Sequence, residues 1–127
     1  MPRSRVRAWA ALAGLVAAGC ASLPVGRPAQ VTAGEPEFGR VALVDYGCVS
    51  CHSIPGVDAI GADAYVGPPL DHWSLRSYIA GSLTNDQANL VRWIMDPQDI
   101  EPGTAMPDLN VSEEDAVNMS AYLMSLD

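Results

Sequence analysis

Lysine is absent from this chain, and its seven basic residues are all arginines. Three of them, Arg3, Arg5 and Arg7, lie at the N-terminus, so the rest of the chain sets four arginines against all fifteen aspartates and glutamates, a formal charge of −11. A surface of this sign repels phosphate backbones and anionic headgroups. The charge therefore argues against nucleic acid and anionic lipid as electrostatic partners.

Long hydrophobic runs are missing as well. The apolar run at residues 8–18 is too short to cross a bilayer of about 30 Å as a helix. With arginines before it and small residues after it, this run has the form of an export signal. We therefore predict a signal over residues 1–19 and an exported protein on the periplasmic or another extracytoplasmic face.

The signal ends in LVAAGC, which resembles the lipobox of bacterial lipoproteins. The resemblance implies acylation of Cys20 and a lipid anchor in the membrane; ordinary signal-peptidase cleavage nearby is the alternative. Residues 20–34 are rich in proline and glycine and predict a flexible tether. Residues 35–127 remain for one domain, which can bury only a modest core without help.

Cysteine is scarce, and with Cys20 assigned to processing only Cys48 and Cys51 remain, in YGCVSCHSIPG. A disulfide across so short a loop would remove little unfolded-state entropy. A thioredoxin-like pair belongs between a strand and a helix, and no strand pattern precedes Cys48. A zinc site would need carboxylates, because His52 and His72 are the only histidines.

Haem attachment is the remaining interpretation, since C-x-x-C-H is its specific signature. Two thiols separated by two residues on a helical turn can add to the two vinyl groups of one porphyrin. His52 then falls beneath the iron as its proximal ligand. Covalent attachment suits an exported protein, because a lost haem is not readily replaced outside the cytoplasm. The motif predicts one covalently bound haem c.

A haem held by one histidine leaves a sixth position on the iron. Met106 lies in EPGTAMPDL, an irregular loop between Pro102 and Pro107. Prolines stiffen such a loop and Gly103 permits an unusual turn, so the sulfur can be presented at a fixed place. We predict Met106 as the distal ligand.

Other side chains compete for that position. Met95, Met119 and Met124 lie on helical segments, where flexible core filling is the expected role. His72, as a second axial histidine, would make a bis-histidine haem of lower potential. For His72 we expect a structural or hydrogen-bonding role instead.

Taken together, the stretches YGCVSCHSIPG, VGPPL, NLVRWIMDPQ, PGTAMP and AYLMSL resemble a monohaem class I cytochrome c. The resemblance is strongest to cytochrome c domains associated with, or fused to, bacterial haem-copper oxidases. It implies an all-α fold around one haem c. It also implies that Cys48 and Cys51 bind the haem, that His52 and Met106 ligate the iron, and that the Pro68 carbonyl orients the imidazole. At positions that line the haem or contact its propionates in relatives, this chain has Arg76, Tyr78 and Trp93.

The expected function is that of a single-electron carrier, not an enzyme, in a bacterial respiratory or related chain. Its partner would be a membrane redox complex such as a terminal oxidase or a quinol-oxidising complex. Without lysines, the acidic chain indicates a partner with a basic or apolar patch, or a place as a resident electron-relay subunit. An acidic surface that only favours solubility is the alternative. A ligand-binding or sensory haem protein, with Met106 off the iron, is the other alternative.

Apolar spacing predicts helices and no strand. The expected helices cover residues 35–47, 74–80 and 86–95, with a last helix from Ser112. In the first helix, Phe38, Val41, Ala42 and Tyr46 share one side.

Capping residues mark the ends of these helices. Ser74 should cap the second and Gly81 end it; Thr84 or Asn85 should cap the third and Pro97 end it. Acids after Ser112 suit the start of the last helix. By the resemblance, the first and last helices cross at Gly39 and Tyr122.

Overall fold

The computed structural model describes residues 33–58 and 66–127. The predicted signal and Cys20 lie outside these residues, as does most of the predicted tether. Four helices form the described part, together with single 3₁₀ turns at Cys48–Ser50 and Trp73–Leu75. The helices are α1 (Pro36–Asp45), α2 (Gln87–Met95), α3 (Pro97–Ile100) and α4 (Glu113–Met124).

The first and last helices cross at Gly39, as predicted, but the α4 atoms nearest to Gly39 are backbone atoms of Asn118 and Met119, and the hydroxyl of the predicted partner Tyr122 lies beside Gly56 instead. A Cβ at Gly39 would lie 2.0 Å from the backbone oxygen of Asn118, so only glycine allows this approach. The Asn118 Oδ1 atom also accepts a hydrogen bond of 2.8 Å from the Glu35 backbone N–H. The α1–α4 pair is therefore held by close backbone contact at its centre and by a polar contact where α1 begins.

The prediction of which side of α1 is buried is partly wrong. Phe38 is 67% exposed and Val41 is 48% exposed, whereas the buried residues of α1 are Gly39, Ala42 and Leu43. Because close packing at Gly39 decides which side of α1 meets α4, the helix is rotated from the orientation that apolar spacing alone favours.

Residues of α4 form the centre of the core. Ala116, Met119 and Leu123 are each at most 3% exposed, and Leu90 and Ile94 of α2 belong to the same cluster. Ser112 caps α4, as predicted, because its hydroxyl accepts from the Asp115 N–H at 3.1 Å.

The start of α2 differs from the prediction in its capping residue. Asp86, not Thr84 or Asn85, is the cap: its Oδ1 accepts from the Asn89 N–H at 2.9 Å. The predicted end is confirmed, because α2 ends at Met95, just before Pro97. Pro97 then occupies the first turn of α3, where a missing N–H costs nothing.

The helix predicted at residues 74–80 is absent. Residues Tyr78–Ile79 form strand β1, which pairs antiparallel with strand β2 (Leu83–Thr84). Ala80 and Gly81 have φ values of 49° and 77°, which reverse the chain. Two-residue strands are too short to show alternation, so the pattern analysis missed them. The short ladder aside, the described part is helical and the predicted all-α class is confirmed.

Candidate haem site

A cavity of about 500 Å³ lies between the helices, the hairpin and the two loops that carry the predicted ligands. It contains on its wall every predicted site residue of the described part: Cys48, Cys51, His52, Pro68, Arg76, Tyr78, Trp93 and Met106. Residues separated by up to 58 positions in the sequence thus meet at one site.

The cysteine motif forms a single tight turn after α1. Gly47, with φ of 75°, breaks the helix, and the carbonyl of Cys48 then accepts from the N–H groups of Cys51 at 3.2 Å and His52 at 3.0 Å. Cys48 and Cys51 are free thiols. Burial raises the pKa of the Cys48 thiol. The turn places both sulfur-bearing residues and the histidine on the same cavity wall.

The imidazole of His52 is held from one side. Its Nδ1 lies 2.7 Å from the carbonyl oxygen of Pro68, and since a carbonyl only accepts, Nδ1 is the protonated nitrogen. Nε2 is therefore the nitrogen left with a lone pair, as a metal ligand requires. This bond is the one that a metal-ligating histidine ordinarily makes through its other ring nitrogen.

Gly67, which sequence reasoning missed, determines how closely the proline segment approaches the imidazole. A Cβ at Gly67 would lie 2.3 Å from Cε1 of His52, so any side chain there would displace the ring. Backbone hydrogen bonds join the two segments, from Gly67 N to Cys51 O at 3.0 Å and from Leu70 N to Ser53 O at 2.8 Å. The sequence signal for this role is the glycine directly before Pro68.

Arg76 lies in the cavity wall but directs its guanidinium at the backbone of the proline segment. Nη2 donates to the carbonyls of Pro69 and, at 3.1 Å, Asp71, and lies 3.7 Å from the Asp71 carboxylate. The guanidinium carbon lies 4.7 Å from the ring centre of Trp73, within cation–π range.

Trp73 is a second cavity residue that sequence reasoning missed. It is 6% exposed and lines the cavity, and its indole Nε1 has no protein partner among the described residues. The available sequence signal was an aromatic residue three positions before Arg76.

The structure distinguishes the other candidate ligands, Met106, His72 and Met119, by their positions relative to the cavity. Met106 is half-buried and lines the cavity, in the irregular segment after α3. His72 does not line it: its side chain is 67% exposed and its Nε2 lies 4.0 Å from the Asp71 carboxylate. Met119 also reaches the cavity wall, but it is fully buried within the α4 core, as the core-filling prediction expects.

These residues fit a covalently held haem. The described site offers two thiols, an imidazole with a free Nε2 and a thioether on a mostly apolar wall. Gly67 leaves space for the imidazole that no other residue would leave. Thiolate-derived sulfur, imidazole and methionine are the groups that attach and ligate haem in c-type sites.

The cytochrome c family model matches residues 39–127. The chain belongs to the cytochrome c family. The predicted class I cytochrome c fold and the single covalent haem c are thereby confirmed, since the chain combines the family match with the spacing Cys48, Cys51, His52.

Curated relatives of this cytochrome c include cytochrome c oxidase subunit 2 of Alkalihalophilus pseudofirmus, 35% identical over 106 residues, or 83% of this chain. The same-named protein of Bacillus sp. strain PS3 is 32% identical over 67% of the chain. The chain spans only 29% and 24% of the length of these two relatives. The match to oxidase-linked domains that the sequence predicted is confirmed.

Two solved structures resemble this cytochrome c in fold. Cytochrome c2 from Rhodobacter sphaeroides has a TM-score of 0.56 at 25% identity, covering 74% of this chain and 97% of its own. Cytochrome cH from Methylobacterium extorquens has a TM-score of 0.50 at 26% identity, covering 71% and 97%. Within residues 33–58 and 66–127, no helix has the length and apolar character needed to span a membrane.

Proposed function

We propose that this chain is a single-electron carrier in which Cys48 and Cys51 hold the haem and His52 and Met106 are its axial ligands. The observation that carries the proposal is the 2.7 Å hydrogen bond from His52 Nδ1 to Pro68 O, which reserves Nε2 for iron in a cavity that Met106 also lines. Bound haem supplies an iron that gains or loses one electron. Because thioether sulfur favours the ferrous state, a comparatively high potential is expected.

The protein's own groups have distinct tasks in this proposal. The Pro68 carbonyl fixes the imidazole plane and raises the basicity of Nε2. The apolar wall, including Trp93, excludes water and so lowers the local dielectric constant. Arg76 holds the backbone of the proline segment, and its positive charge would offset the charge of the haem propionates. Tyr78, which also lines the cavity, would contact the bound haem. With His52 and Met106 both bound to the iron, no coordination position would be left for bond chemistry.

A terminal oxidase is the partner that we propose. Its support is that the curated relatives are named cytochrome c oxidase subunit 2. The lysine-free, acidic chain would meet a basic or apolar patch on that partner. We further propose export through residues 1–19 and a lipid anchor on Cys20, which would hold the carrier at the extracytoplasmic membrane surface.

The same relatives also support a second candidate, a resident electron-relay subunit. They are subunits by name, and this chain spans less than a third of their length. Co-purification with an oxidase in fixed stoichiometry after salt washing would favour the resident subunit, and release by salt would favour the mobile carrier.

Stopped-flow oxidation of the ferrous protein by a purified terminal oxidase tests the function. The proposal expects rapid oxidation in which each haem transfers one electron to the oxidase. It also expects the ferrous protein to resist carbon monoxide, because Met106 holds the sixth position. Carbon monoxide binding without oxidation by any oxidase would favour the ligand-binding alternative.

Fractionation of cells that express Cys20→Ser tests the anchor separately. The full chain should be found with membranes, and the variant should be released as a soluble extracytoplasmic protein. Equal release of both proteins would contradict lipid attachment.

A further inference from the structure

Gln98 makes an unusual set of contacts with the segment 101–107, which we call the methionine loop. Its Nε2 donates to the carbonyl of Thr104 at 2.9 Å and to the carbonyl of Met106 at 2.8 Å. Its Oε1 accepts from the N–H of Gly103 at 3.2 Å. Both amide hydrogens and the amide oxygen of one side chain are thus used on three residues of the same loop.

The methionine loop has few other hydrogen bonds to hold it. Where the loop begins, the Glu101 N–H donates to the Pro97 carbonyl at 2.9 Å. Its internal bonds are the turn from Thr104 N to Glu101 O at 3.0 Å and a contact at 3.5 Å from Met106 N to the Thr104 hydroxyl. A thioether is only a weak acceptor, so no strong hydrogen bond can orient the Met106 side chain directly. Its position must come from the backbone that carries it.

The backbone that carries the Gln98 side chain is itself held in place. Gln98 lies in α3, whose first turn is capped by Asp96, with Oδ1 accepting from the Asp99 N–H at 3.0 Å. Pro97 precedes it and is fully buried, and Gln98 is half-buried. A short, capped helix anchored by a buried proline therefore presents the amide to the loop.

We propose that Gln98 is a positioning residue for the distal ligand: its amide holds the methionine loop so that the Met106 sulfur stays on the iron. This inference depends on the proposed ligation by Met106. When the amide is lost, the loop gains freedom, the iron–sulfur bond opens more often, and an external ligand competes more successfully for the sixth position.

Imidazole binding to the ferric, haem-loaded protein tests this role. Gln98→Leu removes all three hydrogen bonds at similar size, and Gln98→Glu keeps the shape but turns an acceptor towards the Thr104 and Met106 carbonyls. Asp99→Asn, at the exposed neighbouring position, is the control. We expect both Gln98 variants to bind imidazole about tenfold more tightly than the unmodified protein and the control to be unchanged.

Hydrogen exchange at the Gly103 amide gives a second readout in the same holoprotein. Gln98→Leu should exchange this proton faster, because leucine offers the Gly103 N–H no acceptor, while the proximal His52 amide should be unaffected. Unchanged imidazole affinity in Gln98→Glu would overturn the proposal, and this measurement decides the matter also when Gln98→Leu fails to fold. An unmodified protein that binds imidazole freely and shows no methionine–iron absorption band would instead refute the proposed ligation itself.

Discussion

The two sides of the haem site are built differently. On the proximal side, backbone hydrogen bonds join the histidine segment to the proline segment, and a further one holds the imidazole itself. On the distal side, the methionine loop is held mainly by the side chain of Gln98. A ligand fixed by backbone contacts tolerates most side-chain changes, whereas a ligand held through one amide depends on that amide.

The difference matches the chemistry of the ligands. Histidine has a second ring nitrogen through which the protein can orient it, and methionine does not. The proximal ligand can therefore be held directly, while the distal ligand can only be held through its backbone.

Gly67→Ala should have the largest effect, because the added methyl group would displace the His52 imidazole from its position in the site. The new Cβ would lie 2.3 Å from the His52 ring, and overpacking of this kind costs about 3 kcal/mol. We expect poor haem loading and a lower free energy of unfolding, measured by denaturant titration.

Gly81→Ala is the matched control for that substitution. Gly81 has φ of 77° and nothing within 4 Å of an added Cβ, so the strain alone should cost about 1 kcal/mol and haem loading should be normal. Equal losses in the two variants would show that the space beside His52 is not the cause.

Met106→Ala should have a smaller effect on stability and a large one on ligand binding. The haem should remain attached through Cys48 and Cys51, and the ferrous variant should bind carbon monoxide that the unmodified protein resists. Met119→Leu, a core change of similar volume beside the cavity, should keep this resistance and cost under about 1.5 kcal/mol. Carbon monoxide resistance in Met106→Ala would contradict the ligand assignment.

Tyr122→Phe tests a contact that supports the proximal side from α4. The Tyr122 hydroxyl donates to the Pro55 carbonyl at 2.6 Å, and burial raises the pKa of this phenol, so it remains a donor. Loss of the bond should cost about 1 kcal/mol by thermal unfolding, without change in carbon monoxide resistance. Weaker ligation by Met106 in this variant would contradict the claim that the proximal and distal sides are held independently.

Asp115→Asn should have the smallest effect, and one that depends on pH. Hydrogen bonds from the Ser112 and Tyr46 hydroxyls lower the pKa of the Asp115 carboxyl below 3.8. The ionised carboxylate thus stabilises the fold above pH 3.8, and this contribution is lost as pH falls through the lowered pKa. The unmodified protein should be more stable than the variant at neutral pH, and the two should converge in acid. A difference in stability between the two proteins that stays constant from neutral to acid pH would contradict a role of Asp115 ionisation in stability.

Sequence reasoning succeeded where the signal is local. The spacing of Cys48, Cys51 and His52 predicts the cofactor because adjacent residues do the chemistry, and the prolines around Met106 mark a loop that the structure indeed places at the cavity. The Ser112 cap was predicted for the same reason.

Sequence reasoning failed where contacts join segments that are distant in the sequence. The roles of Gly67 and Trp73 depend on which residues lie opposite them in the folded chain, and the exposure of Phe38 depends on how α1 packs against α4 at Gly39. The hairpin of β1 and β2 was missed because its strands have two residues each.

The near-infrared absorption of the ferric, haem-loaded protein tests the central claim most directly. Ligation by Met106 predicts the weak band of methionine sulfur bonded to ferric haem, present in the unmodified protein and in Met119→Leu and lost in Met106→Ala. Absence of the band from the unmodified protein, or its survival in Met106→Ala, would contradict the account.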